Sequence, residues 1–190
     1  MTGNAKKLSR PISTWLTCSL IALVATACML HQVSLFEAQG LSAQNSANAL
    51  TVLAIAAAVG TLSAGWLLQR LGVRNTTVLM LLLLAAAMGL LSLMSSPVLA
   101  VPYSLCLGAS VGLWAVTNGA TWPHYYGRKG LGGVQGSATT ILLIASAVAP
   151  LPVAFLHAST GSHTAGIAAL LSTSVLAASI TLARRRLHTS

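Results

Sequence analysis

Long apolar runs, broken by short polar segments, set the pattern of this chain. A membrane-crossing helix needs about 20 apolar residues. Charge-free intervals place six such runs at about 13–33, 46–69, 77–95, 98–123, 136–157 and 165–183. The interval from Asn75 to Gly127 holds 53 uncharged residues, room for two helices, with Ser95-Ser96-Pro97 marking the hairpin between them. Gly130 to Ala183 is a second such interval, divided by Ala158-Ser159-Thr160-Gly161-Ser162-His163. The pattern predicts an all-α membrane protein of six transmembrane helices, one domain over residues 1–190.

Composition agrees. Apolar residues are 55% of the 190 and charged residues 6%, against about 25% charged in soluble domains. Eleven charged side chains are too few to cover a soluble fold of this size, which excludes a cytosolic enzyme, a secreted domain and a disordered tail. Charge then sets orientation. Lys6, Lys7 and Arg10, then Arg70 and Arg74, then Arg128 and Lys129, then Arg184, Arg185 and Arg186 all fall on one side of a six-span chain. The one acid, Glu37, falls in a loop on the other. The positive-inside rule makes the basic side cytoplasmic. Both termini are then cytoplasmic in a multi-pass protein of the cell (inner) membrane. Trp15, Trp66, Trp122, Tyr125 and Tyr126 read as a cytoplasmic interfacial belt and Tyr103 as an outer one, with Trp114 well inside helix four. The partner surface is the lipid bilayer. Nucleic acid is not expected, because the basic residues are scattered and lack interleaved aromatics.

Other chemistry finds little support. Lys6-Lys7 and Ala25-Thr26-Ala27-Cys28 resemble a lipoprotein signal, but the Leu three residues before the cysteine is missing and the apolar run continues to Val33. Asn75-Thr76-Thr77 matches a glycosylation sequon in a basic, cytoplasmic loop and is discounted. Cys18, Cys28 and Cys106 lack metal-ligand or disulfide spacing. Gly108-Ala109-Ser110-Val111 misses the last glycine of an intramembrane serine-protease setting. The Gly127–Gly136 stretch lacks a phosphate-loop ending and reads as a flexible connector. Paired carboxylates are impossible with one acid. No enzyme, cofactor or metal is expected.

Gly65-Trp66-Leu67-Leu68-Gln69-Arg70-Leu71-Gly72-Val73-Arg74 resembles the signature Gly-x-Leu-x-Asp-Arg-x-Gly-x-Arg of the major facilitator superfamily, with Gln69 in place of the acid. Tyr125-Tyr126-Gly127-Arg128-Lys129-Gly130-Leu131-Gly132, continuing through Ala149-Pro150-Leu151-Pro152 to Ser159-Thr160-Gly161-Ser162, is similar to the tenth-to-eleventh helix region of bacterial organic-anion and monocarboxylate-transporter-like members. His31-Gln32-Val33-Ser34-Leu35 and Gly40-Leu41-Ser42 resemble the seventh helix and its outer loop. The resemblance covers about residues 31–164 and implies the C-terminal six-helix half of such a bundle. It implies two inverted three-helix repeats, about 1–95 and 98–186, with the substrate at the midplane between halves. It also makes Gly65, Gln69, Arg70, Gly72 and Arg74 a gating loop. In that loop Gly65 would let helices approach closely and Gly72 would allow a tight reversal. Gln69 can hydrogen-bond but cannot form the ion pair of a charge-based latch. The same residues also fit a plain positive-inside turn.

Candidate pathway residues follow from spacing. On helix four Trp114, Asn118 and Trp122 recur every four residues, while Gly108 and Gly112 form a small-xxx-small pair. Asn118 between two indoles would orient a polar or anionic solute, or else bond a neighbouring helix. On helix five Thr139, Leu143, Ser146 and Pro150 share similar spacing, and Pro150 and Pro152 should bend the outer half. His31 and Gln32 sit toward the outer end of helix one, where His31 could meet an anion or simply water and backbone.

No charged residue lies inside a span, so any coupling carboxylate belongs elsewhere. The expected function is secondary transport of a small organic solute, organic anions first, by alternating access. A second six-helix half, as a homodimer or a separate N-terminal half, is the expected partner. The alternative is a half-length, non-transporting interaction or assembly protein, or a truncated transporter remnant.

Overall fold

The structure, a computed structural model, describes residues 21–127 and 131–149, together with Leu151, Ala154, Phe155 and Ser172. Among these residues the chain is all-helical: α1 (Ile21–Glu37), α2 (Ala43–Ser92), α3 (Pro97–Tyr126) and α4 (Leu131–Val148). By length and composition α2, α3 and α4 can each cross a membrane, and α1 is a shorter apolar helix. These helices, with the composition, mark a membrane-associated helical protein. The start of the first expected span, the sixth at 165–183, Trp15, Cys18, Arg128, Lys129, Pro150, Pro152, His157 and Arg184–Arg186 lie outside the described residues.

α1 runs four residues beyond the expected end at 33, because Leu35 and Phe36 continue its buried face. Glu37, expected in a loop, is its exposed last helical residue. The stop is a Schellman motif. Gly40 takes φ +75°, its N–H donates to the Glu37 carbonyl at 2.9 Å, and the Leu41 N–H donates to the Phe36 carbonyl at 3.0 Å. Leu41 and Phe36 are both buried, as the motif's hydrophobic contact requires. Ser42 then caps α2, its hydroxyl accepting from the Asn45 N–H at 3.3 Å.

Four helices stand where six spans were expected, and part of the difference lies in α2. Gly72 interrupts it with φ 76° and ψ 164°, a backbone that favours glycine. Gly60 and Met80 flank this point, and both lie against one short stretch of α3. A Cβ on Gly60 would sit 2.8 Å from the Ala109 carbonyl oxygen, and the Ser110 hydroxyl donates to the Met80 carbonyl at 2.8 Å. In a straight helix those two positions would be about 30 Å apart. The arms 43–71 and 73–92 therefore fold back on each other, as two of the expected spans joined at Gly72. Asn75, Thr76 and Thr77 close the second arm's start by donating to the Leu71, Gly72 and Val73 carbonyls.

α3 is held on two sides. Toward the first arm, Gly108 and Gly112 have no room for a side chain. A Cβ at Gly112 would run into the Ala57 carbonyl and lie 2.8 Å from the Thr61 nitrogen; one at Gly108 would run into the Leu53 carbonyl. Thr61 seals the contact, donating to the carbonyls of Ala57 at 2.9 Å and Gly112 at 3.3 Å. Between membrane helices, where lipid competes with every apolar contact, close backbone approach of this kind supplies the packing. Gly65, expected to serve that purpose, is exposed with no neighbour within 4 Å of an added Cβ. Gly60, one turn earlier, makes the contact instead.

On its other side α3 meets α1 and the second arm. The Phe36 and Tyr103 rings lie 5.7 Å apart at 59°, and the Cys28 thiol donates to the Met88 sulfur at 3.5 Å. Gly127, with φ 74°, ends α3. α4 begins at Leu131, so most of the stretch expected to be a flexible connector is helical. The three glycines inside α4, Gly132, Gly133 and Gly136, are carried by Leu131, Val134 and Ala138, which recur at helical spacing and pack on Trp122. Outward faces are apolar, with Leu62 84% and Val98 76% exposed.

Candidate functional site

Tyr103, Leu107, Ser110, Trp114, Thr117 and Thr121 alternate steps of four and three along α3, which places them on one face. That face looks toward α1 and the second arm, as the Tyr103–Phe36 ring contact and the Ser110–Met80 bond fix it. All but Trp114, which is half-buried, are buried. Five of the six carry a polar group, in a bundle whose buried residues are mostly apolar. Ser110 is satisfied by Met80, and Thr121 donates to the Thr117 carbonyl at 2.7 Å. Among the described residues the Tyr103 hydroxyl, the Trp114 indole nitrogen and the Thr117 hydroxyl are enclosed with no hydrogen-bond partner.

α1 contributes across the seam. Cys28, Gln32 and Phe36 follow at four-residue intervals, all buried, and Gln32 is only 1% exposed. Among the described residues neither the amide nitrogen nor the amide oxygen of Gln32 has a partner, and the same holds for the enclosed Nε2 of half-buried His31. Phe36, one turn from Gln32, touches the Tyr103 ring, so the Gln32 amide and the Tyr103 phenol belong to one interface. Ser46 and Ser104 are two further buried, unpartnered hydroxyls toward the Gly40 end of the bundle.

An unpartnered buried polar group costs about 1–3 kcal/mol, whereas an apolar group of the same shape costs nothing of the kind. Threonine and serine also serve helix packing in membranes, so Gln32, Tyr103 and Trp114 are the groups that stand out. The arrangement holds fixed donors from Tyr103, Trp114 and Thr117, and a donor and an acceptor on Gln32. Such a set can hydrogen-bond a polar or anionic group.

Four-residue spacing predicts one stripe for Trp114, Asn118 and Trp122; the structure separates them. Each four-residue step advances about 400°, so two steps rotate the side chain by about 80°. Trp114 packs against the main core, Asn118 is half-buried, and Trp122 is buried against α4. Tyr103, read as an outer interfacial ring, is fully buried. Steps of four and three hold a face where steps of four alone do not, and by that pattern Tyr103 and Thr117 could have been found.

Helix-five candidates stand apart from the seam. Thr139 is exposed and donates to the Gln135 carbonyl at 2.8 Å, and Ser146 is half-buried on α4. In the gating-loop signature Gln69 and Arg70 are exposed, with the Arg70 guanidinium 5.5 Å from the Trp66 ring centre. Gly72 makes the reversal, and half-buried Arg74 begins the second arm. Comparison with known proteins found no family model that matches the chain and no matching curated protein.

Proposed function

We propose that this protein is a secondary transporter of the major facilitator type, moving a small organic solute, organic anions first, by alternating access. The observation that supports this reading is the polar seam of α3: buried hydrogen-bonding groups from Gln32, Tyr103, Trp114 and Thr117, unpartnered inside an apolar helical bundle. Membrane helices carry such groups at a cost, and solute pathways are where that cost is offset. On this reading α1, the two arms of α2, α3 and α4 are five of six spans, in two inverted three-helix repeats. A second six-helix half packs against the exposed apolar faces and completes the bundle. The Gly72 reversal with Arg70 and Arg74 is then a cytoplasmic gating turn, and both termini are cytoplasmic.

The test is saturable uptake of radiolabelled lactate and oxalate into proteoliposomes, compared with empty liposomes. Asn118→Ala and Trp114→Phe are measured beside Leu82→Ala, a change at an exposed apolar position. Flux per folded protein should fall at least fivefold in Trp114→Phe, which removes an indole donor of the seam, and be unchanged in Asn118→Ala, off the seam, and in Leu82→Ala. Equal flux from protein-containing and empty vesicles would sink the transport reading.

Orientation has its own experiment. Single cysteines at Gln39 and Ser162, in a background without native cysteines, should react with a membrane-impermeant maleimide added outside intact cells. Cysteines at Asn75 and Gly130 should react only after permeabilisation. External labelling of Gly130 would overturn the six-span arrangement.

A further inference from the structure

Arg74 sits where the second arm of α2 begins, on the same side of that arm as Leu81, seven residues on, which is fully buried. This explains why the guanidinium is drawn inward: Arg74 is half-buried, and its Nη2 is enclosed without a hydrogen-bond partner among the described residues. A buried guanidinium nitrogen calls for an anion or an acceptor. The chain has a single acidic side chain, Glu37, to answer it. Glu37 ends α1 beside the Gly40 turn, at the opposite end of the first arm from Gly72, about 40 Å away at 1.5 Å per helical residue. No carboxylate side chain of this chain can therefore neutralise Arg74.

The depth of the site narrows the choice of counter-ion. From Asn75 the sequence runs 53 residues without a charge, so Arg74 marks the boundary between apolar core and polar interface. Across the Gly72 reversal, exposed Arg70 lies over exposed Trp66, a cation–aromatic pair of the kind that settles at headgroup level. Two guanidiniums separated by one tight turn, one half-buried and one exposed, present their N–H donors at the depth of lipid phosphates. Arginine's planar fork matches a phosphate's oxygens.

We propose that the Gly72 reversal is a binding site for the phosphate of an anionic phospholipid headgroup, held by Arg74 from within the bundle and by Arg70 from its surface. The site is separate from the α3 seam and does not depend on transport. The lipid acts as the counter-ion that the chain does not encode, and it fastens the two arms of α2 at their junction.

The test uses the full chain in a zwitterionic detergent, titrated with dioleoyl phosphatidylglycerol or dioleoyl phosphatidylcholine and read by native mass spectrometry. Phosphatidylglycerol should be retained at least fivefold better than phosphatidylcholine, and should raise the melting temperature of the wild type. Arg74→Gln should lose most of that preference, and Arg70→Gln part of it. Should Arg74→Gln fail to fold, Arg74→Lys carries the same comparison: it keeps the charge but not the fork, and its preference should fall to an intermediate value. Sodium phosphate at 10 mM, added without lipid, distinguishes a free anion from a headgroup. Equal retention of the two lipids, an unchanged preference in both Arg74 variants, or full stabilisation by free phosphate alone would each overturn the proposal.

Discussion

Replacing Gly112 with valine should separate α3 from the first arm of α2, with a loss of about 3 kcal/mol or more, at the upper end of what overpacking costs. The size of the effect follows from what stands in the way. A Cβ at this position would run into the Ala57 carbonyl, with the Thr61 nitrogen at 2.8 Å and the Ala57 carbonyl carbon at 2.9 Å. These are backbone atoms, which cannot swing aside as the end of a side chain does. Relief requires the helices to part, and parting them breaks the Thr61–Gly112 hydrogen bond and the matching contact of Gly60 with Ala109. Gly119 lies two turns further along the same helix, exposed and with nothing within 4 Å of an added Cβ. Gly119→Ala should therefore be neutral or gain up to about 1 kcal/mol from helix propensity. Reversible unfolding in mixed detergent micelles measures both. A Gly112→Val protein as stable as wild type would mean that the two backbones are not in contact.

Helices and turns were legible in the sequence where a local rule sufficed. Ser95-Ser96-Pro97 marked the turn before α3, which starts at Pro97. Gly72 was legible as a reversal because the residues around it are polar and the runs on either side are each long enough to span a membrane. The pairing of Gly108 with Gly112 as a packing surface was legible from spacing alone. What spacing could not give was the partner. Gly60 and Gly65 are equally small and lie on the same helix, and only the placement of α3 against 53–61 decides that Gly60 makes the contact. The glycine-rich stretch after α3 failed for a related reason. Intrinsic propensity argues against a helix there, and the packing of Leu131, Val134 and Ala138 on Trp122 overrides it.

The candidate site was half legible. Gln32 and Trp114 were named from their polarity within apolar runs, and both belong to the seam. Asn118 and Trp122 were joined to Trp114 by a four-residue rule that drifts around the helix. Tyr103 and Thr117 were passed over, because a tyrosine near a span end suits an interface and a threonine suits any helix. Their importance depends on the facing helix: Phe36 of α1 packs on the Tyr103 ring, and a single sequence does not reveal which helices face each other.

Gln32→Leu and Tyr103→Phe should move stability and transport in opposite directions. Each substitution nearly conserves volume and removes polar atoms that have no partner: both amide atoms of Gln32, and the hydroxyl of Tyr103. Tyr103→Phe keeps the ring that packs 5.7 Å from Phe36. Removing an unsatisfied buried group should leave the fold as stable as before or more stable, by about 1 kcal/mol for each change. Oxalate and lactate uptake should fall by tenfold or more, because the solute loses the donors that orient it in the seam. Two measurements on the same protein decide the matter, unfolding in micelles and uptake per folded molecule. A purely structural role predicts the reverse, with both variants losing stability and any folded fraction transporting at the wild-type rate. Increased stability with full transport would also remove the seam from the pathway, and would place the solute on the half-buried side of α3 that carries Asn118.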